Sequence, residues 1–130
     1  PQNALYLNES LFADTSLEEV METIQKWGLA SHVTLIPGLF KDTLIQLSEG
    51  KFWFVSIDCD LYEPHRECLE FFYPRMERNG VIFFDDYYSV EYPMARLAID
   101  RFLADKTESL LHLRYGNDKP NHTKVFIVKN

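Results

Sequence analysis

Phe52-Trp53-Phe54-Val55-Ser56-Ile57-Asp58-Cys59-Asp60 and Val81-Ile82-Phe83-Phe84-Asp85-Asp86 decide the fold. Each is an apolar run that stops abruptly in paired aspartates, the pattern of a strand buried on both faces whose end emerges into solvent. Between them, Pro64 opens a stretch in which Cys68, Leu69, Phe71, Phe72 and Met76 suit a helix that Pro74 bends or ends early, and Asn79-Gly80 makes a turn. A strand, a helix and a second strand in succession build a parallel sheet, whose ligands bind beyond the carboxyl ends of the strands. Both acid pairs land there.

Working outward, Ser16 and Glu19 form a capping box ahead of Leu17, Val20, Met21, Ile24 and Trp27, so an amphipathic helix is predicted over 17–27, with Gly28 ending it. His32 to Ile36 reads as a short strand stopped by Pro37-Gly38, and Lys41 to Leu47 as a short helix before Gly50. The first fifteen residues give only a weak strand at Leu5-Tyr6-Leu7. Downstream, a Tyr-rich loop (Tyr87, Tyr88, Tyr92) leads to a helix over 94–103. Leu110 to Tyr115 and Val125 to Val128 read as closing strands, antiparallel across the polar turn 116–121. The expected fold class is α/β: a mainly parallel sheet with flanking helices and a closing antiparallel strand pair, in a single domain spanning 1–130.

The 130 residues suit one globular domain. Thirteen basic and twenty acidic residues leave a net charge of −7, a field that repels phosphate backbones and anionic lipid and favours bound cations. Nucleic acid is not an expected partner. Nor is a membrane, since no apolar run approaches the roughly 18 residues of a span. Nineteen aromatic residues supply enough buried area for a core without disulfides, and two cysteines cannot make a structural zinc site. Without a signal segment, a reducing, cytoplasmic setting is expected.

Asp58 and Asp60 are two apart and point to one side if the strand persists; Asp85 and Asp86 are adjacent and diverge. If the two strands are neighbours, three or four carboxylates converge. Bare like charges are unfavourable there, so the cluster either takes up protons or holds a hard cation such as Mg²⁺, Mn²⁺ or Ca²⁺. The plainer reading is that each pair caps the following helix and faces water. Cys59 and Cys68 read as packing residues, and His65 as an exposed first-turn histidine. His32, His112 and His122 are too scattered for a ligand set. Tyr87, Tyr88 and Tyr92 could equally pack or close over a sugar.

Phe54 to Glu63, Tyr73-Pro74-Arg75-Met76, Asn79 to Tyr87 and Ala98-Ile99-Asp100-Arg101-Phe102, with 85 − 58 = 27 positions between the leading aspartates, resemble the macrocin O-methyltransferase family. Phe12 to Val20 and Pro37 to Leu44 extend the likeness. The resemblance implies the fold of a Rossmann-like class I methyltransferase, incomplete at its N-terminus, and transfer of a methyl group from S-adenosylmethionine to a hydroxyl of a sugar or related small molecule. It also implies that Asp58, Asp85 and Asp86 hold Mg²⁺ and that Asp60 is the general base. Gly38, Leu39 and Phe40 would contact the adenine of S-adenosylmethionine, and Asp58 would face that cofactor as well as the ion. Departures are Glu63-Pro64 and Asn79-Gly80, where the family carries Glu-Ser/Thr and Gly-Gly, and a longer loop after Tyr87. No two glycines stand two apart, so the loop that receives the methionine end of the cofactor is not recognisable, and Glu9 is a faint ribose ligand. The chain reads as the C-terminal part of such an enzyme.

Other functions use the same acids. A haloacid-dehalogenase-like phosphatase would take Asp58 as nucleophile and Asp60 as acid/base, although Tyr62 is not the expected residue. A glycosyltransferase would bind Mn²⁺ and a diphosphate, and a degenerate domain would serve protein contacts alone. An exposed sheet edge makes a homo-oligomer an expectation that light scattering checks. With half a cofactor site, the 130-residue chain is expected to show no tight S-adenosylmethionine binding by calorimetry, and tight binding would overturn that reading.

Overall fold

The computed structural model describes residues 15–114 and 123–130, so Leu5 to Leu7, Glu9, His122 and the 116–121 turn lie outside the described residues. The chain divides into two compact units, up to Pro37 and from Gly38 onward. In the first, helix α1 (Leu17–Lys26) carries both arms of the capping box: Ser16 N donates to Glu19 Oε2 at 2.9 Å and Glu19 N to Ser16 Oγ at 3.2 Å. Trp27 caps the helix instead of extending it, and Gly28 (φ 69°) takes the left-handed turn that ends it. The strand expected over His32 to Ile36 is not formed. A β-branched run becomes a strand only where a partner completes its ladder, and the described residues offer it none.

The second unit opens with α2 (Phe40–Thr43), which tightens into a 3-10 turn over Leu44–Leu47, and then enters β1 (Phe52–Ile57). Helix α3 (Tyr62–Phe72) begins two residues before Pro64, whose missing N–H falls in the first turn where no partner is needed. Pro74 ends α3, as expected, in a 3-10 turn over Tyr73–Arg75. Strand β2 (Met76–Phe84) follows, then α4 (Pro93–Leu103), β3 (Leu111–Arg114) and β4 (Thr123–Val128). None of the described helices is long and apolar enough to cross a membrane.

The strand order is β1-β2-β4-β3. β1 and β2 pair in parallel, while β4 is antiparallel to both β2 and β3. Three strands therefore run one way and β4 runs against them, a mixed α/β sheet. The Asn79-Gly80 turn is instead an irregularity inside β2: Phe52 pairs with Met76 and Phe54 with Val81, so β2 carries extra residues between the two rungs. Asn79 takes φ 66° there, and a Cβ on Gly80 would lie 2.9 Å from Glu77 O and 3.1 Å from Trp53 O. Only glycine fits so close to two carbonyls.

Register and burial agree on which face carries the core. Val55 and Ile57 pair with Ile82 and Phe84, which pair with Ile127 and Val125, and all six are buried together with Leu69 and Ile99 of the helices. The alternate set is open: Phe54 is 63% exposed, and Val81, Phe83 and Phe126 are half-buried. β1 was expected to be buried on both faces; among the described residues it is covered on one, since α3 and α4 share the face that holds the core. Trp53 is also exposed.

The closing strand is fastened by Glu108, whose side chain is fully buried. Its carboxylate accepts from Tyr73 Oη at 2.6 Å, Lys129 Nζ at 2.8 Å and Asn130 N at 3.2 Å. Burial alone would raise its pKa, but these donors hold it down at about 2, below the ordinary 4.5. Its contribution is thus present above pH 4.5 and lost as pH falls toward 2. Glu108→Gln is expected to cost about 2 kcal/mol in urea unfolding at pH 7. The gap from wild type should close as pH falls below 4.5. Gly80→Ala should lower stability by about 1–3 kcal/mol in the same assay, because two of the three atoms a Cβ would meet, Glu77 O and Trp53 O, are backbone and cannot swing aside as the third, Met76 Cε, can.

Candidate active site

The parallel register that pairs Ile57 with Phe84 is continued by one more rung, Asp85 N donating to Ile57 O at 3.1 Å. The residues that follow β1 and β2 therefore leave the sheet side by side. Asp58, Asp60 and Asp86 each offer a carboxylate oxygen, and the three oxygens lie within 4.8 Å of one another. Asp58 is exposed, Asp60 half-buried and Asp86 buried, so the cluster opens to solvent on the Asp58 side.

Local backbone geometry makes this possible. Asp60 sits in the left-handed region at φ 57°, which an aspartate tolerates better than most residues, and this turns its N–H onto Asp86 Oδ2 at 3.0 Å. Burial, followed by the charges of Asp86 and Asp58, pushes the Asp60 carboxyl up to about 6. Asp58 is raised by burial and by Asp85 and Asp86, with Lys124 opposing. Mutual repulsion of this kind is what a hard cation relieves, and three carboxylates with no nitrogen or sulfur among them form a donor set suited to Mg²⁺ or Mn²⁺. The residues fit such an ion.

Asp85, read from the sequence as a third ligand beside Asp58 and Asp86, is turned elsewhere: its Oδ1 lies 2.6 Å from Lys124 Nζ. Lys124 also donates to the Asp85 carbonyl at 3.2 Å. Together with Asp86, Tyr88, Ser89, Val90, Glu91 and Thr123, this ion pair lines a cavity of about 270 Å³ at the ends of β2 and β4. Val90 is 86% exposed at its rim. Gly38, Leu39 and Phe40 are not part of the acid group. Gly38 has φ 136°, and Leu39 and Phe40 are exposed where α2 begins.

Tyr87 and Tyr88 are fastened to different elements. Tyr87 is buried and donates to Asp100 Oδ1 at 2.8 Å, fastening the loop to α4. Tyr88 lines the cavity and hydrogen-bonds to His112 Nε2 at 2.8 Å. Cys68 is buried, as expected. His65, expected to be exposed, is completely buried. The signal was present in the spacing: His65 stands on the same helical stripe as Cys68, Leu69 and Phe72. Lys124 and Glu108 carried no comparable signal, because their partners lie 39 and 21 positions away.

The comparisons with known proteins point one way. The tetracenomycin relative, 8-demethyl-8-(2,3-dimethoxy-alpha-L-rhamnosyl)-tetracenomycin-C 4'-O-methyltransferase of Streptomyces olivaceus, is 38% identical over 72 residues, 55% of this chain and 28% of its own length. Demethyldecarbamoylnovobiocin O-methyltransferase of Streptomyces niveus is 32% identical over 102 residues, 78% of this chain and 38% of its own. The chain thus spans about a third of the length of these curated relatives. Among solved structures, the O-methyltransferase NovP superposes with a TM-score of 0.74 at 27% identity, over 88% of this chain and 45% of that one. An O-methyltransferase from Bacillus cereus in complex with SAH, 17% identical, shares the fold with a TM-score of 0.67 over 90% of this chain and 60% of that one. The fold is that of the class I methyltransferases. The family model of macrocin O-methyltransferase (TylF) matches residues 3–111, most of the sequence, and the chain belongs to the macrocin O-methyltransferase family.

Proposed function

We propose that the protein carrying this chain transfers a methyl group from S-adenosylmethionine to a hydroxyl of a sugar-like small molecule, with a divalent cation, Mg²⁺ by preference, at the aspartate cluster. The observation that carries this reading is the meeting of Asp58, Asp60 and Asp86 where parallel β1 and β2 end. The acceptor class is supported by the tetracenomycin relative, whose name specifies a rhamnosyl-bearing molecule methylated at a 4' oxygen.

Asp58 and Asp86 are the proposed cation ligands, joined by Asp85 on release from Lys124. When bound, the cation lowers the pKa of the acceptor hydroxyl and S-adenosylmethionine supplies the methyl group. Asp60 takes the hydroxyl proton as the oxygen attacks the methyl carbon and the carbon–sulfur bond breaks. The buried side of the cluster, at Asp86, keeps the carboxylates in fixed relative positions, which favours an in-line approach. Gly38, Leu39 and Phe40 are the proposed contacts of the adenine ring. The cavity beside Asp85 and Asp86 is the proposed acceptor site, its Ser89, Thr123 and Glu91 offering hydrogen-bond partners to a polyol and Tyr88 a ring face.

The test is formation of S-adenosylhomocysteine from S-adenosylmethionine with rhamnose-bearing glycosides as acceptors, before and after EDTA treatment. Activity that EDTA abolishes and Mg²⁺ restores is expected. Asp60→Asn should lower kcat by about 10²–10⁴-fold with little change in S-adenosylmethionine affinity. Asp86→Asn should raise the Mg²⁺ concentration needed for half-maximal activity. Hydrolysis of p-nitrophenyl phosphate with no S-adenosylhomocysteine formed would assign the same aspartates to a phosphatase instead.

A further inference from the structure

His65 lies in the first turn of α3 with none of its surface in solvent. Its Nδ1 is 3.0 Å from Leu61 O and 3.3 Å from Cys59 Sγ. A carbonyl oxygen only accepts, so Nδ1 carries the proton and shares it between the carbonyl and the sulfur. Nε2 is then a bare acceptor, buried and without a partner. A buried acceptor left unmet is destabilising, because it gives up its bond to water and gains none in return. The helix does not require the ring in return, because Leu61 O also receives the backbone N–H of His65 at 3.2 Å. A leucine would fill the space without that penalty.

The two atoms held by the ring belong to the residues on either side of Asp60. Asp60 itself is left-handed, and its N–H points at Asp86 Oδ2. The turn is also braced by Leu61 N donating to Cys59 O and by Cys59 packing against the core, and the ring adds a side-chain bridge that joins the two residues flanking Asp60. We infer that His65 is a positioning residue: its Nδ1–H, bridging Cys59 Sγ and Leu61 O, holds the Cys59–Leu61 turn so that Asp60 meets Asp86 and presents its carboxylate to the acceptor hydroxyl. The last clause rests on the methyl-transfer reading above. The grip on the turn does not.

Two variants separate positioning from packing. His65→Leu removes the bridge and the orphaned acceptor together, whereas His65→Asn restores a donor, because its Nδ2 is attached to Cγ as the histidine Nδ1 is. In His65→Leu, Tm is expected to stay at or above wild type, while hydrogen exchange of the Asp60 amide, followed by NMR, accelerates about tenfold or more. The kcat for methyl transfer should fall about 10–100-fold with the KM for S-adenosylmethionine unchanged. His65→Asn should bring both exchange and kcat back to within about threefold of wild type. A marked loss of Tm in His65→Leu, unchanged Asp60 exchange, or no rescue by Asn would each overturn the positioning role. A wild-type protein that methylates no sugar but shows the exchange pattern would remove the methyl-transfer reading and leave the grip on the turn standing.

Discussion

Everything at the acidic end of this sheet depends on the parallel rung between Asp85 N and Ile57 O. It brings the last residues of two strands, far apart in sequence, to the same level. From there the acids have no freedom to avoid one another. Adjacent parallel strands lie roughly 5 Å apart, so carboxylates leaving them fall within the span that a single small cation covers. The electrostatic conflict is a direct product of the backbone ladder.

The rest of the second unit reads as support for that end. Ile82 and Phe84 are completely buried against the helices, which stiffens β2 up to the residue before the aspartates. Tyr87 ties the following loop to Asp100 of α4, and Arg96 lies over the Tyr87 ring at 5.1 Å. At the far side, Lys124 at the start of β4 neutralises Asp85 while Glu108 fixes the end of the same strand. One antiparallel strand thus carries a cation to the site and is anchored by a buried carboxylate at its other end.

Much of this was legible in the sequence because it rests on short-range rules. The apolar runs ending in Asp58 and Asp85, the capping box at Ser16, and Pro74 after α3 are local patterns, and each has its expected counterpart in the structure. The departures from the local patterns share a physical origin. His32 to Ile36 has strand composition, but strands are completed by partners that composition does not name. Asn79-Gly80 has turn chemistry, yet the same positive φ serves a kink inside a strand when both flanking segments are paired. The polarity of His65 points to solvent, but its position on the helical stripe sets its burial. The Asp85–Lys124 pair joins residues whose spacing carries no pattern.

The left-handed backbone at Asp60 sets a rule for interpreting substitutions there. Aspartate, asparagine and glycine accept such dihedrals readily, whereas alanine, glutamate or a branched residue drives the chain toward another conformation. An alanine exchange at this position would therefore confound removal of a charge with reorientation of a peptide plane and loss of the amide contact to its neighbour. Only the asparagine isostere isolates the chemistry of the carboxylate from the shape of the turn that carries it.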